Sequence, residues 1–156
     1  GGKTTHDKIH LKVGPGGMAD IEFICQYHQM MRWAKDQRVR KTKTIEALQA
    51  LVDAGVLKKE EGRFLKDTHR FFKGIENRLG LVLDHKGTDQ LCTMEELKAL
   101  EPLEDVSWAP SRRTGEDLPE LLARVMSEVR SIYLRHLAGR CSKFKTNVAK
   151  HHGYKC

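Results

Sequence analysis

Lys12-Val-Gly-Pro-Gly-Gly-Met-Ala-Asp-Ile-Glu-Phe23 places three glycines and a proline directly ahead of acidic and then apolar residues, so a sharp turn must run straight into a helix. Gly14, Gly16 and Gly17 allow backbone angles closed to other residues, and Pro15 fixes one more. Asp20 and Glu22 follow in the first turns of the helix, where its dipole favours negative charge. Glycines ahead of a helix can also present N–H groups to a phosphate, with Lys12 as the counter-charge. The spacing is not that of a Walker loop, because the lysine precedes the glycines, nor that of a dinucleotide fingerprint. A tight structural turn and a phosphate-facing turn both stay open on these residues alone.

Around this turn the chain reads as all-α, a bundle of about five helices with one short N-terminal strand. Lys8 to Val13 alternates polar and apolar residues as a half-buried strand does. With no second strand evident, it lies along the helices or belongs to a sheet whose other strands are absent. Met18 to about Lys35 carries two apolar rows, Ile21, Ile24, Cys25, His28 and Met31, and Phe23, Tyr27, Met30 and Ala34, which predicts burial around much of the helix. Thr44 is expected to cap a short helix with face Ile45, Leu48, Leu51 and Val52, ended by a left-handed Gly55. Periodic apolar residues from Phe64 to Val82 predict a long helix from about Lys59 to Asp84. Gly74 and Gly80 inside it each cost about 1 kcal/mol against alanine and point to close contact or a bend.

Beyond a loop at His85 to Leu91, Thr93-Met-Glu-Glu96 is a capping box opening a helix to about Leu100. Glu101 to Glu116 is an irregular connection, with Trp108 as its expected anchor. Asp117 caps a last helix with Pro119 in its first turn. Its stripe is Leu118, Leu121, Leu122, Val125, Val129, Ile132, Tyr133 and His136, and Gly139 stops it.

At 156 residues the chain suits one domain with a real core. No apolar run approaches the ~20 residues that span a membrane, and Gly1 to Asp7 has no signal-peptide core. Cys25, Cys92, Cys141 and Cys156 lie far apart in sequence, which fits a reducing cytoplasm. The net charge of +7 owes five charges to Arg140, Lys143, Lys145, Lys150 and Lys155 in a tail without acids. The body is a mixed, solvated surface, and no nucleic-acid-reading module accompanies the charge, so no nucleic-acid partner is expected.

Asp20 and Glu22 would share one side of a strand and could then hold Mg²⁺, but on a helix residues two apart point to roughly opposite faces. Separate roles are expected, one facing the turn or a neighbouring site and the other making a structural contact. Glu76 and Arg78, inside an apolar helix, are expected in structural ion pairing. Cys141, His151, His152 and Cys156 lack the short paired spacings of zinc sites, so no metal site is expected on this chain. No serine or cysteine has a nucleophile motif, and none of the eight histidines has a partner evident in sequence.

His10-Leu-Lys-Val-Gly-Pro-Gly-Gly-Met-Ala-Asp-Ile-Glu-Phe23 resembles the junction of glutamine-synthetase adenylyltransferases, (D/H)-(I/L)-K-x-G-x-G-G-x-x-D-I-E-F. The likeness continues through Gln26-Tyr27, Thr44 to Leu51 with Ala54-Gly55, and Arg70-Phe-Phe-Lys-Gly-Ile-Glu-Asn-Arg-Leu79, similar to R-F-L-R-x-x-E-x-R-L. PII uridylyltransferases share a G-P-G-G-L-R-D-I junction, and Asp20-Ile-Glu-Phe23 favours the adenylyltransferase. The resemblance implies residues 1–17 as the end of a nucleotidyltransferase sheet, 18–139 as the helical domain after it, and 140–156 as a basic, disordered tail.

It further implies a parent enzyme that uses ATP and Mg²⁺ to adenylylate glutamine synthetase, or removes AMP by phosphorolysis, under control of the PII signalling protein. Lys12, Gly14, Gly16 and Gly17 become nucleotide-binding candidates, with Asp20 and Glu22 in support. The family's Gly-Ser and Asp-x-Asp motifs are absent here, so the chain alone is expected to bind no cofactor and transfer no adenylyl group. Ala19 and His10 depart from the arginine and aspartate that many members carry. The alternative is a helical docking module that binds PII or glutamine synthetase away from the active site.

Overall fold

A computed structural model describes residues 8–83, 91–100 and 112–137. In chain order these form β1 (Lys8–His10), α1 (Met18–Arg32), α2 (Thr44–Asp53), α3 (Lys59–Leu83), β2 (Leu91–Thr93), α4 (Met94–Leu100) and α5 (Leu118–Leu137). A single 3₁₀ turn, Gln37–Val39, links α1 to α2. The all-α expectation, five helices with a short N-terminal strand, is met.

α1 sits at the centre, against α5, α2 and α3. Its Ile21, Ile24 and Cys25 join Leu48 and Leu51 of α2, Leu65, Phe71 and Phe72 of α3, and Leu121, Leu122, Val125 and Val129 of α5 in one core cluster. Each fully buried Leu, Ile or Phe contributes roughly 1.5–3 kcal/mol of transfer free energy. The second apolar row expected of α1 is not buried: Tyr27 is, but Phe23, Met30 and Ala34 are exposed. The neighbouring helices all pack on the other side of α1, which corrects the expectation of burial around much of its circumference.

β1 is not alone. It pairs antiparallel with β2, with Lys8 opposite Thr93, Ile9 opposite Cys92 and His10 opposite Leu91. β2 was not evident in sequence because three residues running directly into a helix leave no room for alternation to register. The strand is also shorter than the patterned stretch, since residues 11–13 already turn.

Capping follows the sequence with one exception. Gly55 takes φ +71 and closes α2 with Gly55 N–H to Val52 O (2.9 Å) and Val56 N–H to Leu51 O (2.9 Å), a Schellman end. Thr93 and Glu96 exchange side-chain to backbone hydrogen bonds at 2.8 and 3.1 Å, and Asp117 and Glu120 do the same at 3.0 and 2.9 Å. Thr44, by contrast, is the first helical residue of α2. The cap position falls to Lys43, whose extended backbone ends in a carbonyl that accepts from Ala47 N–H at 2.9 Å. The expectations for residues 84–90, 101–111, Gly139 and the tail lie outside the described residues.

Close helix contact occurs at Gly62, not Gly80. A Cβ on Gly62 would run into the Val52 side chain of α2, whereas one on Gly80 meets nothing within 4 Å. Gly80→Ala should therefore raise stability by about 0.5–1 kcal/mol, and Gly62→Ala should lower it, both read by urea denaturation.

α5 is anchored at its entry by Glu116, whose carboxylate accepts from Arg124 Nε (2.7 Å) and Nη2 (3.0 Å) and from Arg113 N–H (3.0 Å). The Arg124 hydrogen bond first, then the Arg113 amide, hold its pKa down from 4.5 to about 2. A depressed carboxyl stabilises the fold above its unfolded pKa, and that contribution disappears as pH falls from about 4.5 through about 2. Glu116→Gln should flatten the acid-side loss of stability in this window, measured as Tm against pH.

Candidate functional site

The junction is a closed turn. Gly14 N–H donates to His10 O (3.0 Å), Gly17 N–H to Gly14 O (2.9 Å), Met18 N–H to Leu11 O (2.8 Å) and Ala19 N–H to Lys12 O (2.8 Å). The donors that a helix start leaves free are thus consumed by the chain's own preceding carbonyls. Leu11, fully buried, pins the turn into the core.

Gly16 completes the closure. Its φ is +78, and a Cβ there would collide with the Met126 carbonyl of α5. Its N–H donates to Asp20 Oδ2 at 2.7 Å. The same carboxylate receives Arg130 Nη1 of α5, at 3.2 Å from Oδ1 and 3.1 Å from Oδ2. The guanidinium lies 4.5 Å over the Tyr133 ring. Asp20, buried, therefore joins the turn to a helix 110 residues away.

Glu22 is half-buried on α1. Its charge acts on Cys25 and His69, not on the turn, so the two acids have separate surroundings, as helix geometry requires. Lys12 is exposed. Glu76 pairs with Lys73 at 3.3 Å on α3, and Arg78 is half-buried two residues further on. Of the two readings open for the glycines, a tight structural turn is the one these hydrogen bonds support.

Among the described residues, the groups at the junction do not fit a resident nucleotide or magnesium ion. The glycine N–H groups have internal acceptors, Asp20 is engaged by Gly16 and Arg130, and among the described residues no three His, Cys, Asp or Glu converge to hold a metal. The two thiols among the described residues are poor nucleophiles: burial pushes Cys25 up to about 12 and Cys92 up to about 11. Burial also lowers the His69 pKa, against the opposing pull of Glu22.

Two associations escaped the sequence. Arg130 flanks the apolar stripe of α5 and has no acid three or four residues away to mark it. His28 and His136 each sit in an apolar row, yet His28 Nε2 lies 2.9 Å from His136 Nδ1, and His136 Nε2 lies 3.1 Å from Glu61 Oε1. With the proton on Nε2 of each ring, His28 donates to His136 and His136 to Glu61, which links α1, α5 and α3.

A family model described as GlnD PII-uridylyltransferase matches residues 2–136, nearly the whole chain. The chain belongs to that family. Among curated proteins, it is 40% identical over 80 residues to the bifunctional glutamine synthetase adenylyltransferase/adenylyl-removing enzyme of Xanthomonas axonopodis pv. citri (strain 306), a match covering 51% of this chain and 8% of that protein. It is 42% identical over 71 residues to the enzyme of the same name from Corynebacterium efficiens, covering 46% and 7%. The matched stretch is thus less than a tenth of the length of these relatives. No solved structure matches the chain. No described helix of this family member is long and apolar enough to cross a membrane.

The junction of this family member makes its own prediction. Gly16→Ala should destabilise by more than about 2 kcal/mol, combining a forbidden φ with the Met126 collision. A double-mutant cycle of Asp20→Asn and Arg130→Met should return a coupling of about 1 kcal/mol by chemical denaturation.

Proposed function

We propose that this chain is the helical segment that follows the nucleotidyltransferase sheet of a bifunctional glutamine-synthetase adenylyltransferase/adenylyl-removing enzyme. In that setting it supports ATP-dependent adenylylation, or phosphorolytic deadenylylation, of glutamine synthetase in the cytoplasm, under PII control. The observation that carries the reading is the set of matches at about 40% identity to proteins bearing that name, from different bacterial genera, each confined to a short stretch of the relative.

The helices hold the junction in a single shape. The buried Asp20, the left-handed Gly16 and the carbonyls of Leu11 and Lys12 leave that turn little freedom, while the Lys12 side chain projects into solvent. A cation on a rigid edge is suited to meet the phosphates of a nucleotide held by the preceding domain. On this reading ATP and Mg²⁺ are held by the preceding domain. Glu22 and the Glu76 to Arg78 stretch act within the bundle.

The purified chain should fold, with a helical circular dichroism spectrum, and transfer no radiolabelled AMP from ATP to glutamine synthetase. Measurable transfer sinks the reading. In the full-length parent enzyme, Lys12→Ala should raise KM for ATP about tenfold, the loss of one charge-assisted contact. An unchanged KM and kcat would remove the phosphate-facing role of this edge.

A further inference from the structure

The outer face of α1 is open to solvent along its length. Phe23, Gln26, Met30 and Trp33 recur at i, i+3, i+7 and i+10, the spacing of one helix face, and Trp33 keeps helical angles at the C-terminal cap. Phe23 is 52% exposed, Met30 55%, Trp33 54% and the adjacent Met31 50%. Large aromatic side chains, methionine and arginine are the types enriched where proteins meet, and a contiguous exposed set of them marks an interaction site.

The Trp33 end of this face is basic. Arg40 lies with its guanidinium 4.6 Å over the Trp33 ring and donates to the Trp33 carbonyl. Gln29 donates to the carbonyls of Val39 (2.7 Å) and Lys41 (2.6 Å), which folds that segment back against α1. Lys35, Lys41 and Lys43 are exposed there, whereas Arg38 is taken by Asp36 at 2.7 Å. Glu22 stands at the opposite end, beside Phe23.

We propose that this face docks an amphipathic helix of a separate protein, apolar along one stripe and acidic where it meets Arg40 and Lys41. The stripe spans roughly 15 Å at about 1.5 Å per residue and is about 10 Å across, roughly 150 Å² of face and well short of the ~800 Å² per partner of a standard stable interface, so the complex is weak and transient. A second copy of this chain brings a net charge of +7 toward the same sign. The chain's own segment Arg140 to Cys156 has five basic residues and no acid, the wrong charge for this site. Nucleic acid would answer the lysines but not the apolar Phe23 end with its Glu22.

In a Trp108→Phe variant, Trp33 is the one tryptophan left to report. The probe is a synthetic 18-residue helix with leucine on a heptad stripe and glutamate elsewhere. Its binding should shift Trp33 emission to the blue with Kd on the order of 10 µM, a value calorimetry should reproduce on the unmodified chain. A peptide with lysine in place of glutamate should bind at least tenfold more weakly. Phe23→Ser/Met30→Ser should lose about tenfold or more in affinity without loss of helicity, and Arg40→Glu about fivefold, while Lys12→Ala leaves binding unchanged. The proposal is overturned by no binding of the acidic peptide at millimolar concentration, or by equal binding of both peptides. It is also overturned if the Trp33 shift comes with phosphatidylglycerol vesicles or a single-stranded oligonucleotide and not with the peptide, or if sedimentation finds a dimer that Phe23→Ser dissolves.

Discussion

One buried carboxylate ties the two ends of the described fold together. Asp20 accepts the Gly16 amide and the Arg130 guanidinium at once, so the start of α1 and the middle of α5 share a single anchor. A buried charge with two donors is stable where either alone would leave an unpaid desolvation cost. Around that anchor the glycines are used for fit. Gly16 passes under the Met126 carbonyl, and the first helical amides return to Leu11 and Lys12.

This closure reverses the usual use of a glycine turn at a helix start. Such turns bind anions when their amides face outward. Here the amides face inward, and the outward feature is a lysine side chain on a stiff support. α1 is held by α2, α3 and α5, so the turn that leads into it is held in place. The chain of His28, His136 and Glu61 reinforces the same grip at the other end of α1.

Periodic elements were legible in sequence, and so were local caps. The stripes of α3 and α5, the Thr93 to Glu96 box and the left-handed Gly55 each depend on residues within a turn or two of one another. What escaped depends on distance in the chain. Arg130 finds Asp20, His136 finds His28 and β2 finds β1 only once the helices are packed, and no local pattern marks those pairs. The exposed row of α1 escaped for a related reason: Phe23, Met30 and Ala34 have the spacing of a buried face, and only the placement of the neighbours decides which face is covered. The candidate site was legible as a place, since the glycines and acids flagged it, but its polarity was not, because the direction of an amide is not written in composition.

The separation of Asp20 and Arg130 by 110 residues also fixes an order of events. Synthesis from the N-terminus makes the glycine turn well before the helix that locks it, Arg130 following Asp20 by 110 residues. Until α5 arrives, Asp20 has no guanidinium, Gly16 has no carbonyl roof, and Leu121, Leu122, Val125 and Val129 are missing from the core. Closing so long a loop is entropically slow to reward. The turn is therefore completed only after α5 has been made, and until α5 docks the edge that carries Lys12 is not held in its final shape.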